Sequence, residues 1–265
     1  MTMHGHMLIF GPGYTGARIA ARLLDAGWRV SLVGSHGRDD IVGIDDAAQV
    51  GALLGEASHM LSTVPPGDAG DPVLSAYGGA IRGGGARWVG YLSSTGVYGD
   101  TGGAWVDESA STGGGRRGAR TQADADWQAI GARVFRLPGI YGPGRSAIDR
   151  VRQGRAHRIA MPGQVFSRVH VDDIVGGVLA AFDGPAGVYN LADDAPCGQN
   201  AVIEAACRLL GVAPPPMLAL EEAGLSAAAL AFYAENRRVA NGKAKRVLGW
   251  RLRYPGFEQG LASCL

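Results

Sequence analysis

The chain has 265 residues, 46% of them hydrophobic, and 25 Lys and Arg stand against 24 Asp and Glu for a formal net charge of +1. That length carries one large α/β domain with an appended lobe around a full core. The balanced charge, without long runs of one sign, argues against nucleic acid or an anionic membrane as a partner. No apolar stretch reaches the length of a membrane span, and Met1 to His6 lacks the basic and apolar regions of a signal peptide, so a cytoplasmic protein is expected.

The first apolar run, Met7-Leu8-Ile9-Phe10, is followed by Gly11-Pro12-Gly13-Tyr14-Thr15-Gly16 and by a helical stretch from Ala17 to Ala26 that ends at Gly27. In a chain with 43 glycines the Gly-x-Gly-x-x-Gly spacing is weak by itself. Between a strand and an amphipathic helix it reads as a dinucleotide phosphate cradle. Gly11 lets the chain leave the strand sharply, Gly13 has no Cβ to hold a pyrophosphate off the backbone, and Gly16 lets helix and strand lie close. Tyr14 and Thr15 open the helix, whose N-terminus offers free N–H groups to phosphate. The alternative is a tight strand-to-helix turn that binds nothing.

A second strand is expected over Arg29 to Val33. At its end an acidic residue would hold an adenosine 2′-hydroxyl and a basic one would accept a 2′-phosphate. Gly34-Ser35-His36-Gly37-Arg38 stands there, with Asp39 and Asp40 further along, so Ser35 and Arg38 favour NADP(H) over NAD(H).

Ser35 to Asp46 reads as polar and irregular, Ala47 to Gly55 as a helix, and Met60 to Val64 as a strand whose end, Thr63 with Ser62 and Val64, lines an adenine and ribose path or simply packs the sheet. A helix between Pro72 and Arg82, a strand from Arg87 to Ser93, a Gly/Ser/Thr-rich surface loop from Gly102 to Gly118, a helix over Arg120 to Ile130 and a strand from Arg133 to Leu137 continue the alternation. Strand and helix in turn predict a doubly wound parallel sheet. Beyond Gly139 come loops, a helix near Ser146 to Gln153 and short strands, with Val188 to Leu191 rejoining the sheet. A helix from Gln199 to Leu210 ends before Pro214-Pro215-Pro216, and helices over Ala223 to Asn236 and Asn241 to Leu248 close the chain. The division expected is a dinucleotide-binding domain over 1–140 and a smaller substrate lobe over 141–265, with about 175–195 returning to the first. Cys197, Cys207 and Cys264 show no metal-ligand spacing and read as packing residues of a reducing compartment; no metal is expected.

Four further stretches occur in order: Leu92-Ser93-Ser94-Thr95-Gly96-Val97-Tyr98-Gly99, Arg136-Leu137-Pro138-Gly139-Ile140-Tyr141-Gly142-Pro143-Gly144, Arg168-Val169-His170-Val171-Asp172-Asp173-Ile174 and Val188-Tyr189-Asn190-Leu191-Ala192-Asp193-Asp194. With the glycine turn they make the chain resemble an atypical branch of the NAD-dependent epimerase/dehydratase group of extended short-chain dehydrogenase/reductases. Ala234-Glu235-Asn236-Arg237-Arg238 and Leu248-Gly249-Trp250 look like the end of that branch. The resemblance implies a Rossmann-type fold, bound NAD(H) or NADP(H), and a small interleaved C-terminal substrate lobe. It fixes no reaction.

In ordinary members catalysis rests on a Ser or Thr at the end of the fifth strand and on a Tyr-x-x-x-Lys pair on the next helix. The tyrosine exchanges a proton with the substrate hydroxyl, and the lysine lowers a phenol pKa of about 10 toward working pH. Ser94 matches the hydroxyl residue, with Thr95 beside it, but the pair is missing. No tyrosine stands between Tyr98 and Tyr141, and the chain's lysines are Lys243 and Lys245. Aligned on Asp124 and Trp127, the helix puts Arg116 at the tyrosine and Arg120 at the lysine. Arginine stays protonated and cannot serve as a general base, so Arg120 keeps at most an electrostatic role toward the cofactor ribose.

Tyr98 and Tyr141 follow strand ends, either as substitute proton donors or as ring packing at a strand corner; Tyr98 is also placed to touch substrate. His170 and Arg168 match positions near the substrate, His170 as a group titrating near neutral pH and Arg168 as a carboxylate or phosphate binder. Against this, Asp172 caps the following helix and His170 satisfies a buried hydrogen bond. Pro138 and Gly139 pass the nicotinamide edge by resemblance. Arg116, Arg117 and Arg120 read equally as a solvated helix face. Two functions lead, ahead of a nucleotide-free scaffold, against which the intact glycine turn argues. One is an NAD(P)-dependent oxidoreductase or epimerase acting on a sugar-like or other hydroxylated small molecule, possible as a homodimer; the other is a dinucleotide-binding sensor or interaction protein that has lost its chemistry.

Overall fold

In a computed structural model, which describes residues 5–114 and 118–265, the alternating strands and helices build a seven-stranded parallel sheet. Its first part runs β1 (His6–Phe10), α1 (Tyr14–Asp25), β2 (Arg29–Gly34), β3 (Ile41–Gly43), α2 (Ala47–Glu56), β4 (His59–Ser62), α3 (Pro72–Gly83) and β5 (Trp88–Ser94). A 3-10 turn (Thr95–Tyr98), β6 (Trp105–Val106), α4 (Gly118–Ala129), β7 (Arg133–Leu137), β8 (Gly139–Tyr141), α5 (Ala147–Arg152), β9 (Arg158–Ile159), β10 (Arg168–His170) and α6 (Val171–Ala180) follow. The chain ends with β11 (Gly187–Asn190), α7 (Gln199–Leu210), β12 (Met217–Leu218), α8 (Ala227–Tyr233), β13 (Arg238–Val239), α9 (Gly242–Leu248) and α10 (Phe257–Ala262).

The sheet order is β11-β7-β5-β4-β1-β2-β3. β1 sits between β4 and β2, in register Met7 with His59 and with Val30. Both faces of a parallel sheet are covered, so its central strand β1 is apolar at every position from Met7 to Phe10 rather than at alternate ones. Met7 and Ile9 pack on one face against Ile19, Leu23, Ile174 and Val178, while Leu8 and Phe10 pack on the other against Val50, Val73 and Tyr77. The period-2 alternation of side chains thus divides one hydrophobic run between two cores.

The expected helices and strands recur within a few residues, and α7 coincides with the expected span. Three segments differ. Within the stretch read as irregular, Ile41–Gly43 adds β3 to the sheet edge, pairing Leu32 with Ile41. Inside the expected surface loop, Trp105–Val106 pairs in parallel with Arg238–Val239 of the distant C-terminal part, burying Val106 and Val239. The long helix expected from Ala223 is a 3-10 turn (Leu220–Ala223) closed by left-handed Gly224, then the shorter α8 capped by Ser226. Among the described residues no helix is long and apolar enough to cross a membrane.

Candidate functional site

The carboxyl ends of β1, β4, β5 and β7 open on a cleft of about 760 Å³. In open α/β sheets ligands bind outside these strand ends. Gly13, Tyr14 and Thr15 from the start of α1, Thr63 and Pro65 after β4, Ser94, Thr95 and Gly96 after β5, and Pro138 and Gly139 after β7 form one side. Val165, Phe166 and Ser167 with Phe232, Glu235, Arg237 and Val239 form the other, and Arg120 and Arg145 stand in the wall.

The glycines of the turn have different reasons to be glycine. Gly11 has φ +86°, and a Cβ there would meet Thr63 Oγ1 at 2.7 Å; that hydroxyl donates to the Gly11 carbonyl at 2.5 Å. A Cβ on Gly16 would run into the Gly11 carbonyl. Gly13 is extended, with φ −80° and ψ −165°, and a Cβ there would meet nothing within 4 Å. The protein itself forces the first two and leaves the third unforced. Gly13 is also the N-cap of α1 and supplies no side-chain hydrogen bond to the first turn, whose N–H groups and positive dipole end are left for an anion. Tyr14 donates its hydroxyl to the Pro143 carbonyl at 3.1 Å, and Arg18 donates to the same oxygen at 2.9 Å, pinning the loop after β8 over the cradle.

Ser94 Oγ accepts from the Gly96 N–H at 3.1 Å, capping the 3-10 turn while keeping its own proton for a ligand. Behind it lies a buried network that the sequence reading missed. Arg136, next to the end of β7, sends Nη2 to Asp124 Oδ1 at 2.7 Å and Nε to Oδ2 at 3.1 Å. Ser93 donates to the same carboxylate at 2.6 Å. Arg136 Nη1 also donates at 3.0 Å to the Tyr98 hydroxyl, which donates in turn to Asn190 Oδ1 at 2.8 Å. Tyr98 is therefore not a cleft residue. A charged guanidinium inside the core needs acceptors, and the tyrosine is turned inward to supply one. Burial raises its pKa, against the hydrogen bond from Arg136.

His170, Tyr141 and Arg168 also lie outside the main cleft. His170 is fully buried and caps α6: its Nδ1 accepts from the Asp172 N–H at 3.1 Å, the reverse of the cap expected from Asp172. Its proton then sits on Nε2, which faces Ser263 Oγ at 3.1 Å. Burial lowers its pKa to about 4, so it is neutral at pH 7 and cannot titrate there. Tyr141 is buried with its ring edge-on to His170, and its hydroxyl has no hydrogen-bond partner among the described residues. Burial, then Asp193 and Asp173, push its pKa far up. Arg168, buried, donates to the carbonyls of Phe166 and Cys197 and to Gln199 Oε1.

Ser35 and Arg38 lie on the exposed turn between β2 and β3, where Arg38 and Ile41 exchange backbone hydrogen bonds at 2.9 and 2.8 Å. Arg116 and Arg117 fall outside the described residues. Arg145, Glu235 and Arg237 are cleft residues that sequence reasoning passed over. Glu235 pairs with Arg237 at 2.7 Å, and Arg237 reaches the Gly99 carbonyl at 2.7 Å. Their signal in the sequence is the Glu235-Asn236-Arg237-Arg238 stretch, which only the resemblance brings out.

Asp193 gives the site region a pH signature. Its Oδ1 accepts from the Ala195 N–H at 3.2 Å while Oδ2 has no hydrogen-bond partner among the described residues, and burial raises its pKa to about 7. The unfolded chain releases this proton near pH 4 and the folded chain near pH 7. Stability from this group is therefore complete below pH 4 and is lost as pH climbs to 7, while His170 acts in the opposite sense between about 4 and 6.5. Asp193→Asn should raise stability at pH 8 by on the order of 2–4 kcal/mol and leave it nearly unchanged at pH 4. Thermal melts of both proteins across that range check it.

No family model matches the chain. The parallel sheet, the glycine turn and the cleft at the strand ends define a Rossmann-type fold, which the chain shares with solved NAD-dependent epimerases and dehydratases. One example is the Bacillus cereus UDP-glucuronic acid 4-epimerase in complex with NAD, which is 14% identical and superimposes with a TM-score of 0.74 over 98% of this chain and 96% of that one. Within that fold, the chain belongs to the same family as a functionally unknown conserved protein from Silicibacter pomeroyi DSS, 39% identical over 98% of both chains with a TM-score of 0.87. A 3-diazoavenalumate denitrifying reductase from Streptomyces sp is 32% identical over 140 residues, 48% of this chain and 45% of that protein. The match thus spans less than half the length of that curated relative.

Proposed function

We propose that the protein is an NAD(P)-dependent oxidoreductase or epimerase-like enzyme for a hydroxylated, sugar-like small molecule, working without a Tyr-x-x-x-Lys pair. Gly13 carries the reading: its side-chain space is empty of protein, at the dipole end of a helix without a side-chain cap, inside the cleft at the strand ends. The residues fit a dinucleotide. Gly13 to Gly16 would hold the pyrophosphate, Thr63 the ribose path, Arg120 the nicotinamide ribose by charge, and Pro138 with Gly139 the nicotinamide edge. When bound, the nicotinamide supplies hydride transfer. Ser94 orients the substrate hydroxyl, and Thr95, buried at its back, supports the turn.

The proton has few places to go. Among the described residues lining the cleft, Tyr14 donates to a carbonyl and its pKa is raised by burial, and the arginines stay charged, so water and Glu235 are the remaining carriers. A panel of sugars, nucleotide sugars and ketones followed by nicotinamide absorbance tests the reading. Ser94→Ala should lower kcat/KM about 10- to 100-fold on any substrate turned over. The second reading, a dinucleotide-binding sensor, is favoured by the withdrawal of Tyr98, Tyr141 and His170 from the cleft. Tight cofactor binding, no turnover across the panel and a retained protein partner would select it.

NADP(H) is the preferred cofactor in this reading. The exposed turn Gly34 to Arg38 carries a hydroxyl, an imidazole and a guanidinium and no carboxylate. Arg38→Asp should reverse the preference, weakening NADPH about tenfold or more relative to NADH in calorimetric titration. Equal affinities in both proteins would remove the assignment.

A further inference from the structure

A second cavity of about 430 Å³ opens beside the first and shares Gly139, Ile140, Arg145 and Phe232 with it. Its wall holds Arg145 ahead of α5, Arg150 on α5, Arg155 just after it and Arg168 on β10. The carboxylate in that wall, Asp149, is already committed. Its Oδ2 accepts from the Ser146 N–H at 2.8 Å and from Ser146 Oγ at 2.6 Å, closing the capping box of α5.

None of the four guanidinium groups has an ion-pair partner among the described residues. Arg168 spends its hydrogens on neutral oxygens, and Arg155 bonds Gln153 Oε1 at 3.0 Å through Nε. The side chains of Arg145 and Arg150 make no hydrogen bond among the described residues; Arg145 only lies over the Tyr14 ring. The pKa of Arg150 is lowered by burial and, against the effect of Tyr233, by the charges of Arg168 and Arg155. Arg168 is buried while Arg145, Arg150 and Arg155 are exposed, so the cavity gathers positive charge from its floor to its open side, a field that attracts an anion.

We propose that this side pocket binds the anionic end of the substrate, a carboxylate or phosphate group, between Arg145, Arg150 and Arg168. Arginine forks suit both oxyanions, and the lining shared at Gly139 lets one molecule reach from the pocket toward Ser94. The substrate is then an acid or a phosphate ester that carries its hydroxyl or carbonyl a few bonds from the charge. That the anion belongs to a substrate rests on the enzymatic reading above; that an anion binds there does not.

Calorimetric titration with inorganic phosphate and with succinate, at constant ionic strength and with saturating NADPH to fill the α1 cradle, tests it. Saturable binding of one or both anions is expected, weakened about tenfold or more in Arg150→Gln and in Arg145→Gln. Arg253→Gln, at an exposed arginine outside the pocket, should leave it unchanged. The tighter probe names the group. No saturable binding, or equal binding in wild type and both pocket variants, overturns the assignment. Should NADPH itself fail to bind, the enzymatic reading falls separately, and the same titrations on the free protein still decide the pocket.

Discussion

Gly13→Val is expected to abolish dinucleotide binding, weakening it at least about a hundredfold, in a protein that still folds. The two halves of that result have separate causes. Gly13 is extended and a Cβ there meets no protein atom within 4 Å, so valine fits the backbone and costs at most about 1 kcal/mol as a poorer N-cap. The same side chain stands where a pyrophosphate must approach the α1 amides, and losing those contacts at a factor of a hundred is about 2.7 kcal/mol. Gly16→Val is the contrasting variant. Its Cβ drives into the Gly11 carbonyl, so it should lose the fold and the binding together. Titration with NADPH beside a thermal melt separates the two, and a folded Gly13→Val with undiminished affinity would show that the turn holds no phosphate.

Arg136→Met should cost about 3–5 kcal/mol of stability, among the largest losses available to a single substitution in this chain. It strands the Asp124 carboxylate, 1% exposed, and takes from the Tyr98 hydroxyl its donor. Asp124→Asn is milder, because the amide oxygen still accepts from Arg136. Asp124→Asn with Arg136→Met together should recover part of the loss, since the double change leaves no buried charge; denaturant melts of the three variants form the cycle that measures the coupling. Ser93 bonds the same carboxylate, so Arg136→Met should also loosen Ser94 next to it and lower turnover beyond what the stability change explains.

The strands of the sheet and the helices on it were readable because their signals are local. Met7 to Phe10 is apolar at every position, and Gln199 to Leu210 carries an uninterrupted helical period. β3 escaped because three residues after a Gly- and Asp-rich turn have no period to detect. β6 and β13 escaped because each is two residues long and exists only through the other, across the whole middle of the chain. The fates of Tyr98 and His170 were illegible for a different reason. A tyrosine or histidine at a strand end looks the same whether it faces a ligand or the core. What turned Tyr98 inward is Arg136, a charge set in an apolar strand, whose partners Asp124 and Asn190 come from a helix and another strand. The glycine turn is visible in the sequence as a pattern, but only the space around each glycine distinguishes those that the protein needs for itself from the one that it does not.

β7 lies inside the sheet only because β11 covers its outer flank, and β11 comes much later in the chain. During synthesis the segment ending at β7 leaves the ribosome with an open row of amides and carbonyls along Arg133 to Leu137, and with Arg136 and Tyr98 still waiting for Asn190. An apolar strand open along one side is a template for another chain. A truncated protein ending near residue 140 would hold the whole glycine turn and still present that open edge to other chains.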